Sequence, residues 1–287
     1  MKYQLSRLFP NLINPGFDVI PVVRLHGTVM ASTTPMRPAL SLATVAGILE
    51  KAFALPAPAV AISVNSPGGS PVQSRLIYKR IRDLAEEKQR KVLVYVEDVA
   101  ASGGYMIACA GDEIIVDPSS IVGSIGVISA GFGFHEMIRK IGVERRVYTA
   151  GRNKAILDAF QPEKEEDIAH LKELQQQIHQ VFIDLVKSRR GTKLADSEDL
   201  FSGLFWVGQK ACDLGLADGV GDMRSDLKRR FGPKTQLRLI SPVRGFLTRK
   251  IPLFGAKLPS APDVAAELAS GLLDAAEEKA AWQRFGL

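Results

Sequence analysis

The sequence predicts an α/β fold built around a largely parallel sheet, and three observations carry that prediction. Short apolar runs rich in Val and Ile alternate with segments of helical periodicity. The runs are apolar at consecutive positions, as strands covered on both faces are. Gly-, Ser- and Pro-rich punctuation stands at their ends. The 287 residues allow one large domain or two small ones. With 46% hydrophobic and 24% charged residues, the chain has the composition of a globular protein, which excludes a disordered or fibrous one.

Val19 to Leu25, stopped by Gly27, is the first strand. Ser41 to Leu55 places Leu42, Val45, Ile48, Leu49 and Ala52 at helical spacing and ends at Pro56. Ala59 to Val64 is a buried strand that runs into the loop Asn65-Ser66-Pro67-Gly68-Gly69-Ser70, and Val72, Leu76, Ile77, Ile81 and Leu84 mark an amphipathic helix after it. Val92 to Val96 is the next strand, followed by a loop over Glu97 to Gly104 and a buried helix at Tyr105 to Ala110. Short strands are expected at Glu113 to Val116, Val127 to Ser129 and Arg146 to Thr149, with a helix near Phe134 to Ile141. Glu163 to Ser188 is the longest periodic segment, and its stripe of Ile168, Leu171, Ile178, Phe182 and Leu185 should pack on the sheet or on a neighbouring subunit. A helix is expected around Gln209 to Leu214, and Asp218-Gly219 reads as a turn. Past Ile240 the alternation ends in a Pro-punctuated basic segment and a terminal helix bearing Val264, Leu268, Leu272 and Leu273. The chain thus divides into an extension over 1–17, a main domain over 18–240 and a basic tail over 241–287.

The formal net charge is +6, yet nine cations and no acid lie between Lys228 and Lys257, which leaves the remainder at −3. Interleaved with Leu227, Phe231, Phe246 and Phe254, these cations suit an anionic membrane surface better than nucleic acid, so no nucleic-acid partner is expected. The competing reading is that they balance the acidic body. No run reaches the ~18 apolar residues of a spanning helix, and Pro10 and Pro15 break the first segment before a signal-peptide core develops. A cytoplasmic protein, with peripheral contact at the inner membrane face, is the expectation. Cys109 and Cys212 sit in apolar sequence and read as buried thiols, and no metal-ligand cluster or phosphate-cradling loop is present, so no cofactor is expected.

Ser66 to Gly69 follows a strand directly, where glycines free backbone N–H groups to face an oxyanion, although the plain alternative is a tight loop. Ser102 stands between Ala101 and Gly103 at a helix start, a nucleophile's position or simply a cap. The base could be His135, the one imidazole in the central region, or Lys154, which follows Gly151-Arg152-Asn153 and precedes apolar Ala155-Ile156-Leu157. A lysine serves as base only when burial or neighbouring cations hold it neutral.

Asn65-Ser66-Pro67-Gly68-Gly69, Asp98 to Tyr105, Gly123-Ser124-Ile125-Gly126-Val127 and Lys154, in that order and spacing, resemble the signal peptide peptidase A (SppA) family of Ser/Lys serine peptidases. The resemblance extends over about Asp18 to Ser225 and takes in Trp206-Val207-Gly208-Gln209 and Leu216-Ala217-Asp218-Gly219. It implies a ClpP/crotonase-like fold, one repeat per chain. It also implies Ser102 as nucleophile, Lys154 as general base, Ser124 orienting that lysine, and the N–H groups of Gly69 and Gly103 as the oxyanion hole. Serine and lysine of one site come from different repeats or subunits in that family. Because each motif occurs once here, a homo-oligomer with shared sites is implied, acting on unfolded or apolar peptides, remnant signal peptides among them. The membrane anchor that many members carry has no counterpart in this sequence. The alternatives are a ClpP-like Ser/His/Asp peptidase using His135, a catalytically silent peptide-binding scaffold, and acyl-CoA chemistry on the fold alone.

Overall fold

In the computed structural model, residues 19–31, 39–241 and 279–287 are described. The extension over 1–17, the terminal helix with Val264, Leu268, Leu272 and Leu273, and the cations Arg244, Arg249, Lys250 and Lys257 lie outside them.

The elements run β1 (Val19–His26), α1 (Leu42–Ala54), β2 (Ala59–Ser66), α2 (Pro71–Lys88), β3 (Lys91–Ala101), α3 (Gly103–Ala108), β4 (Glu113–Val116), β5 (Ile121–Gly123), α4 (His135–Lys140), α5 (Glu165–Arg190), β6 (Phe205–Val207), α6 (Gly208–Asp213), β7 (Gly219–Val220), α7 (Met223–Phe231) and β8 (Gln236–Leu239). They form a sheet of order β6-β5-β3-β2-β1-β8, with β4 beside β3 and β7 beside β4. Pairing is parallel except between β5 and β6. This is the α/β arrangement that the alternation of apolar runs predicts.

The sheet is covered unequally because its strands alternate in side-chain size. Val60, Ile62 and Val64 of β2, with Val92, Val94 and Val96 of β3, meet Leu49 and Phe53 of α1 and Ile77 and Ile81 of α2 in the main core. The opposite side of the same strands presents Ala59, Ala61, Leu93 and Tyr95, against which Leu227 of α7 packs. Burial of such side chains is worth about 1.5–3 kcal/mol each and drives the layering.

Local chemistry sets the helix ends. Ser41 and Thr44 form a reciprocal capping box at α1. The Ser70 Oγ accepts from the Gln73 N–H, Pro71 occupies the first turn of α2, and Gln89 at φ 50° closes that helix. The Asp222 carboxylate accepts from the Ser225 N–H at the start of α7. Arg230 of α7 then reaches Glu113 at 2.6 Å and Asp226 at 2.6 Å, while the Tyr95 hydroxyl donates to Asp226 at 2.8 Å. Arg229 also engages Asp226. Helix α7, at the start of the basic segment, is therefore tied to the body through Leu227, Asp226 and Arg230.

Three expected features differ. Strand β3 continues through Glu97 and Asp98 to Ala101, because a register shift between Val64 and Ser66 lets Ser66 pair with Ala100, and the Asn65 Oδ1 accepts from the Val99 N–H. The short strand expected at Val127 to Ser129 lies instead at Ile121–Gly123, where β3 and β6 supply ladder partners. Arg146 to Thr149 is not a strand; it lies exposed, and Arg146 pairs with nearby Glu144. The stripe on α5 is split too. Phe182 and Leu185 are buried, whereas Ile178 and the neighbouring Leu174 and Val181 are exposed. Ile128, Phe132 at 81% exposure, Val143 and Tyr148 at 91% are large apolar or aromatic side chains left exposed as well. Cys109 is buried as expected, while Cys212 is only half-buried.

Candidate active site

Two strand ends build the site. Strand β2 ends in Ser66, and Gly68 at φ 98° and Gly69 at φ 136° turn the chain back over β1. There the Val29 N–H donates to the Gly68 carbonyl at 2.8 Å and the Ser70 N–H to the Val29 carbonyl at 2.7 Å. A Cβ on Gly69 would stand 2.1 Å from the Val29 carbonyl oxygen, so only glycine fits.

Strand β3 ends in Ala101 and is followed by Ser102, whose φ of 53° and ψ of −122° no side-chain-bearing residue adopts without strain of about 1–3 kcal/mol. Its N–H donates to the Gly123 carbonyl at 2.8 Å and its carbonyl accepts from Met106 at 3.0 Å, but its hydroxyl makes no cap bond. The two ends interlock. A Cβ on Gly68 would meet the Gly103 nitrogen at 2.7 Å and the Ser102 Cβ at 2.9 Å, and one on Gly104 would meet the Ser66 carbonyl oxygen at 2.3 Å. The N–H groups of Gly69 and Gly103 take no part in the bonds just described, and both glycines line the same cleft as Ser102.

Ser102, Gly69 and Gly103 line one cleft of ≈ 550 Å³. Its walls are mostly apolar, with Val29 and Met30 after β1, Met106 of α3, Val127 and Ile128 after β5, and Phe182 of α5. An uncapped hydroxyl beside two backbone donors in such a cleft can attack a carbonyl and hold the resulting oxyanion.

The remaining predicted residues lie elsewhere. Ser124, 4% exposed and at φ 52°, follows Gly123 and directly precedes the cleft-lining stretch from Gly126 to Ile128. Trp206 of β6 packs on Gly123, where a Cβ would touch the indole at 3.0 Å, so the Trp206-Val207-Gly208-Gln209 segment fixes the carbonyl that holds Ser102. Lys154 is exposed, on a run of turns tied back by Arg145–Asp158 at 3.0 Å, and it does not line the cleft of its own chain. None of the four imidazoles lines it either. His135 is half-buried with Nε2 3.8 Å from Glu136, His26 Nε2 lies 2.6 Å from the Ser63 hydroxyl, His179 Nε2 lies 3.0 Å from the Ile125 carbonyl, and His170 faces Glu173.

Sequence reasoning missed two contributors. Ser74 of α2 is fully buried, donates to the Ser70 carbonyl at 2.8 Å and packs directly against Gly103. One serine on an amphipathic helix carries no signal of that role. Ala281 and Arg284 also line the cleft, brought there because Trp282 and Phe285 pack on Val99, Ala101 and Ile121. The two aromatics near the end of the sequence were the available signal.

Comparison with known proteins bears on the same region. The family described as Peptidase family S49 matches residues 85–230. Over 286 residues, 99% of this chain and 39% of the relative, the chain is 65% identical to a protein of Brucella abortus (strain 2308) named Na(+)/H(+) antiporter NhaA. It is 30% identical over 227 residues to the chloroplastic serine protease SPPA of Arabidopsis thaliana, covering 77% of this chain and 33% of that one. It is also 30% identical over 164 residues to a putative signal peptide peptidase SppA of Enterococcus faecium, covering 56% and 47%. The chain thus spans well under half the length of the first two of these relatives.

Proposed function

The chain belongs to peptidase family S49, whose fold is ClpP/crotonase-like, and on that premise we propose that it is a serine endopeptidase with Ser102 as nucleophile. The observation that carries this reading is Ser102 itself. It is an uncapped serine held at φ 53° in the floor of an apolar cleft, with the Gly69 and Gly103 N–H groups beside it.

In the proposed reaction the Ser102 oxygen attacks the peptide carbonyl, and the developing oxyanion is held by the N–H groups of Gly69 and Gly103, a contribution of about 2.7–4 kcal/mol per donor. Lys154 accepts the serine proton and passes it to the leaving amine, and Ser124 orients it. Because Lys154 is exposed and outside its own chain's cleft, the base comes from a second copy. The exposure of several large apolar or aromatic side chains, Phe132, Tyr148, Ile178 and Val181 among them, supports such an assembly. The apolar walls suit unfolded or apolar peptides, remnant signal peptides among them.

The antiporter name belongs to longer Brucella chains of which this sequence matches 39%. Among the described residues no helix is long and apolar enough to cross a membrane. Peripheral contact with an anionic membrane is part of the proposal. Arg229 and Arg230 are engaged with Asp226 and Glu113, so the contact would fall to the other cations of the segment, exposed Lys234 and Arg238 among them.

The test is labelling by a serine-directed acylating inhibitor. The adduct should map to Ser102 and be absent from Ser102→Ala, together with all peptide hydrolysis. Hydrolysis retained by Ser102→Ala overturns the reading.

A further inference from the structure

The Ser102 cleft is lined by apolar side chains, small residues and hydroxyls, with one ionisable side chain among its described lining residues, Arg284. The position of Arg284 is fixed from behind. Residues 279–283 are helical, and Phe285, 7% exposed, packs on Val99 and Ala101 of β3, the strand that delivers Ser102. The Phe285 ring also stands edge-on to Phe205 of β6, 5.1 Å between centroids at 70°. Within this short segment Trp282 and Phe285 face the sheet while Ala281 and Arg284 face the cleft. The segment that carries Arg284 is therefore anchored by aromatics on β3, the strand that leads into Ser102, and on β6, with the exposed guanidinium 5.8 Å from the centroid of the Phe285 ring.

From this we infer that Arg284 is a specificity-determining residue, and that the substrate is an apolar peptide carrying one carboxylate within a few residues of the scissile bond. The inference rests on the peptidase reading and deepens it. A guanidinium presents paired N–H donors in a planar fork that matches a carboxylate, and backbone carbonyls of a peptide satisfy it less well. Ser102 and Arg284 line the same cleft, so an extended peptide lying in it passes both, at ~3.3 Å per residue. The apolar walls provide the affinity, and the charge selects the register. The carboxylate can come from an Asp or Glu side chain or from the free C-terminus of a peptide, and the test distinguishes them.

Short apolar peptides are compared in which a single Glu is walked across the sequence, each matched by a Gln and a Lys version and each made with a free or an amidated C-terminus. Because Arg284 is exposed, the preference for a well-placed Glu over Gln in kcat/KM should be about two- to fivefold at low salt, with Lys disfavoured. It should shrink at high salt. Arg284→Glu should invert the order, so that Lys is preferred at that position. A preference that follows the free C-terminus and ignores the walked Glu assigns the carboxylate to the peptide terminus. One that persists in the amides assigns it to the side chain.

Binding of the same peptides to Ser102→Ala, followed by fluorescence anisotropy, separates this inference from the reading beneath it. If no peptide is hydrolysed but Ser102→Ala binds Glu peptides better than Lys peptides and Arg284→Glu reverses this, the peptidase reading fails and the carboxylate site stands. If all peptides are cleaved and bound equally, or the order is unchanged in Arg284→Glu, the inference is overturned and the peptidase reading stands.

Discussion

Replacing Gly103 by Ala tests the oxyanion hole with a single methyl group. A Cβ at this position would stand 2.3 Å from the Ser74 Oγ, 3.2 Å from the Ser74 Cβ and 3.4 Å from the Gly69 nitrogen. Carbon contacts are optimal near ~3.5 Å or beyond, so something must move by about 1 Å. Ser74 is fully buried and its hydroxyl is committed to the Ser70 carbonyl at 2.8 Å, so the shift falls on the Gly103 backbone. Displacing an oxyanion donor by that distance forfeits its bond in the transition state, a loss of about 100- to 1000-fold in kcat. Stability should fall by about 1–3 kcal/mol, as overpacking a core does. The double variant Gly103→Ala with Ser74→Ala removes the 2.3 Å contact and leaves those at 3.2 and 3.4 Å, so it should recover at least about tenfold of the lost kcat. The assay is steady-state hydrolysis of a fluorogenic peptide, with denaturant melts to correct for the folded fraction. Gly111→Ala is the control, because its Cβ would clash at 2.8 Å with the Glu113 carbonyl oxygen, a residue that does not line the cleft. It should lose stability and keep the kcat of its folded fraction. A folded Gly103→Ala with kcat within about threefold of the parent would refute the assignment of its N–H as a donor.

Ser102→Gly should be inactive yet more stable than the parent by about 1 kcal/mol in denaturant melts, because glycine relieves the strain at φ 53° and no cap bond is lost; a fall in stability would contradict the strain. Burial pushes the Cys109 thiol up to about 12, so the native protein should resist iodoacetamide at pH 8 and react only when unfolded, and rapid native labelling would refute this. Hydrogen bonding from Arg230, then from Lys91, holds Glu113 down to about 2 from an ordinary 4.5. That stabilisation is present above the unfolded value and is lost as pH falls through about 2, so Arg230→Gln should be destabilised by about 1–3 kcal/mol at pH 7 and converge with the parent towards pH 2; a gap that does not narrow would count against it. Mixed under subunit exchange, inactive Ser102→Ala and Lys154→Ala should recover about a quarter of parental activity, the fraction of random interfaces that pair an intact serine with an intact lysine, and proven exchange with no recovery would place the base within one chain.

The parts of this molecule that could be read from its sequence are those whose cause is local. The apolar runs at Val19 to Leu25, Ala59 to Val64 and Val92 to Val96 form strands because their burial on both faces is written into consecutive residues. The sharp break after β2 was legible too, because consecutive glycines after an apolar run favour a turn, and Gly68 and Gly69 both take positive φ there. What was not legible depends on partners distant in the chain. Glu97 and Asp98 look like a strand's end, but Asn65 and the β5 ladder carry β3 five residues past Val96 to Ala101. Val127 to Ser129 has strand composition but no neighbour to pair with, while Ile121–Gly123, less apolar, has two. Arg146 to Thr149 likewise carries strand-like residues without a neighbouring strand in this chain. For the site, position along the chain indicated Ser102 but gave nothing on Ser74 or Arg284, which reach the cleft only through packing.

The interlock between Gly68 and the Ser102-Gly103 peptide makes the conformation of Ser102 depend on contacts between separate segments of the chain. Ser102 acquires its conformation only when its N–H has found Gly123, when Gly68 has closed on the Gly103 nitrogen, and when Val29 has clamped Gly69 from the far side. Those contacts join segments between 20 and 40 residues apart, so none of them exists in a nascent or partly unfolded chain. Such a chain holds an ordinary serine of ordinary reactivity. On the proposed reading, a copy in which these contacts have not formed would not hold its serine in this conformation and would be inactive towards its neighbours.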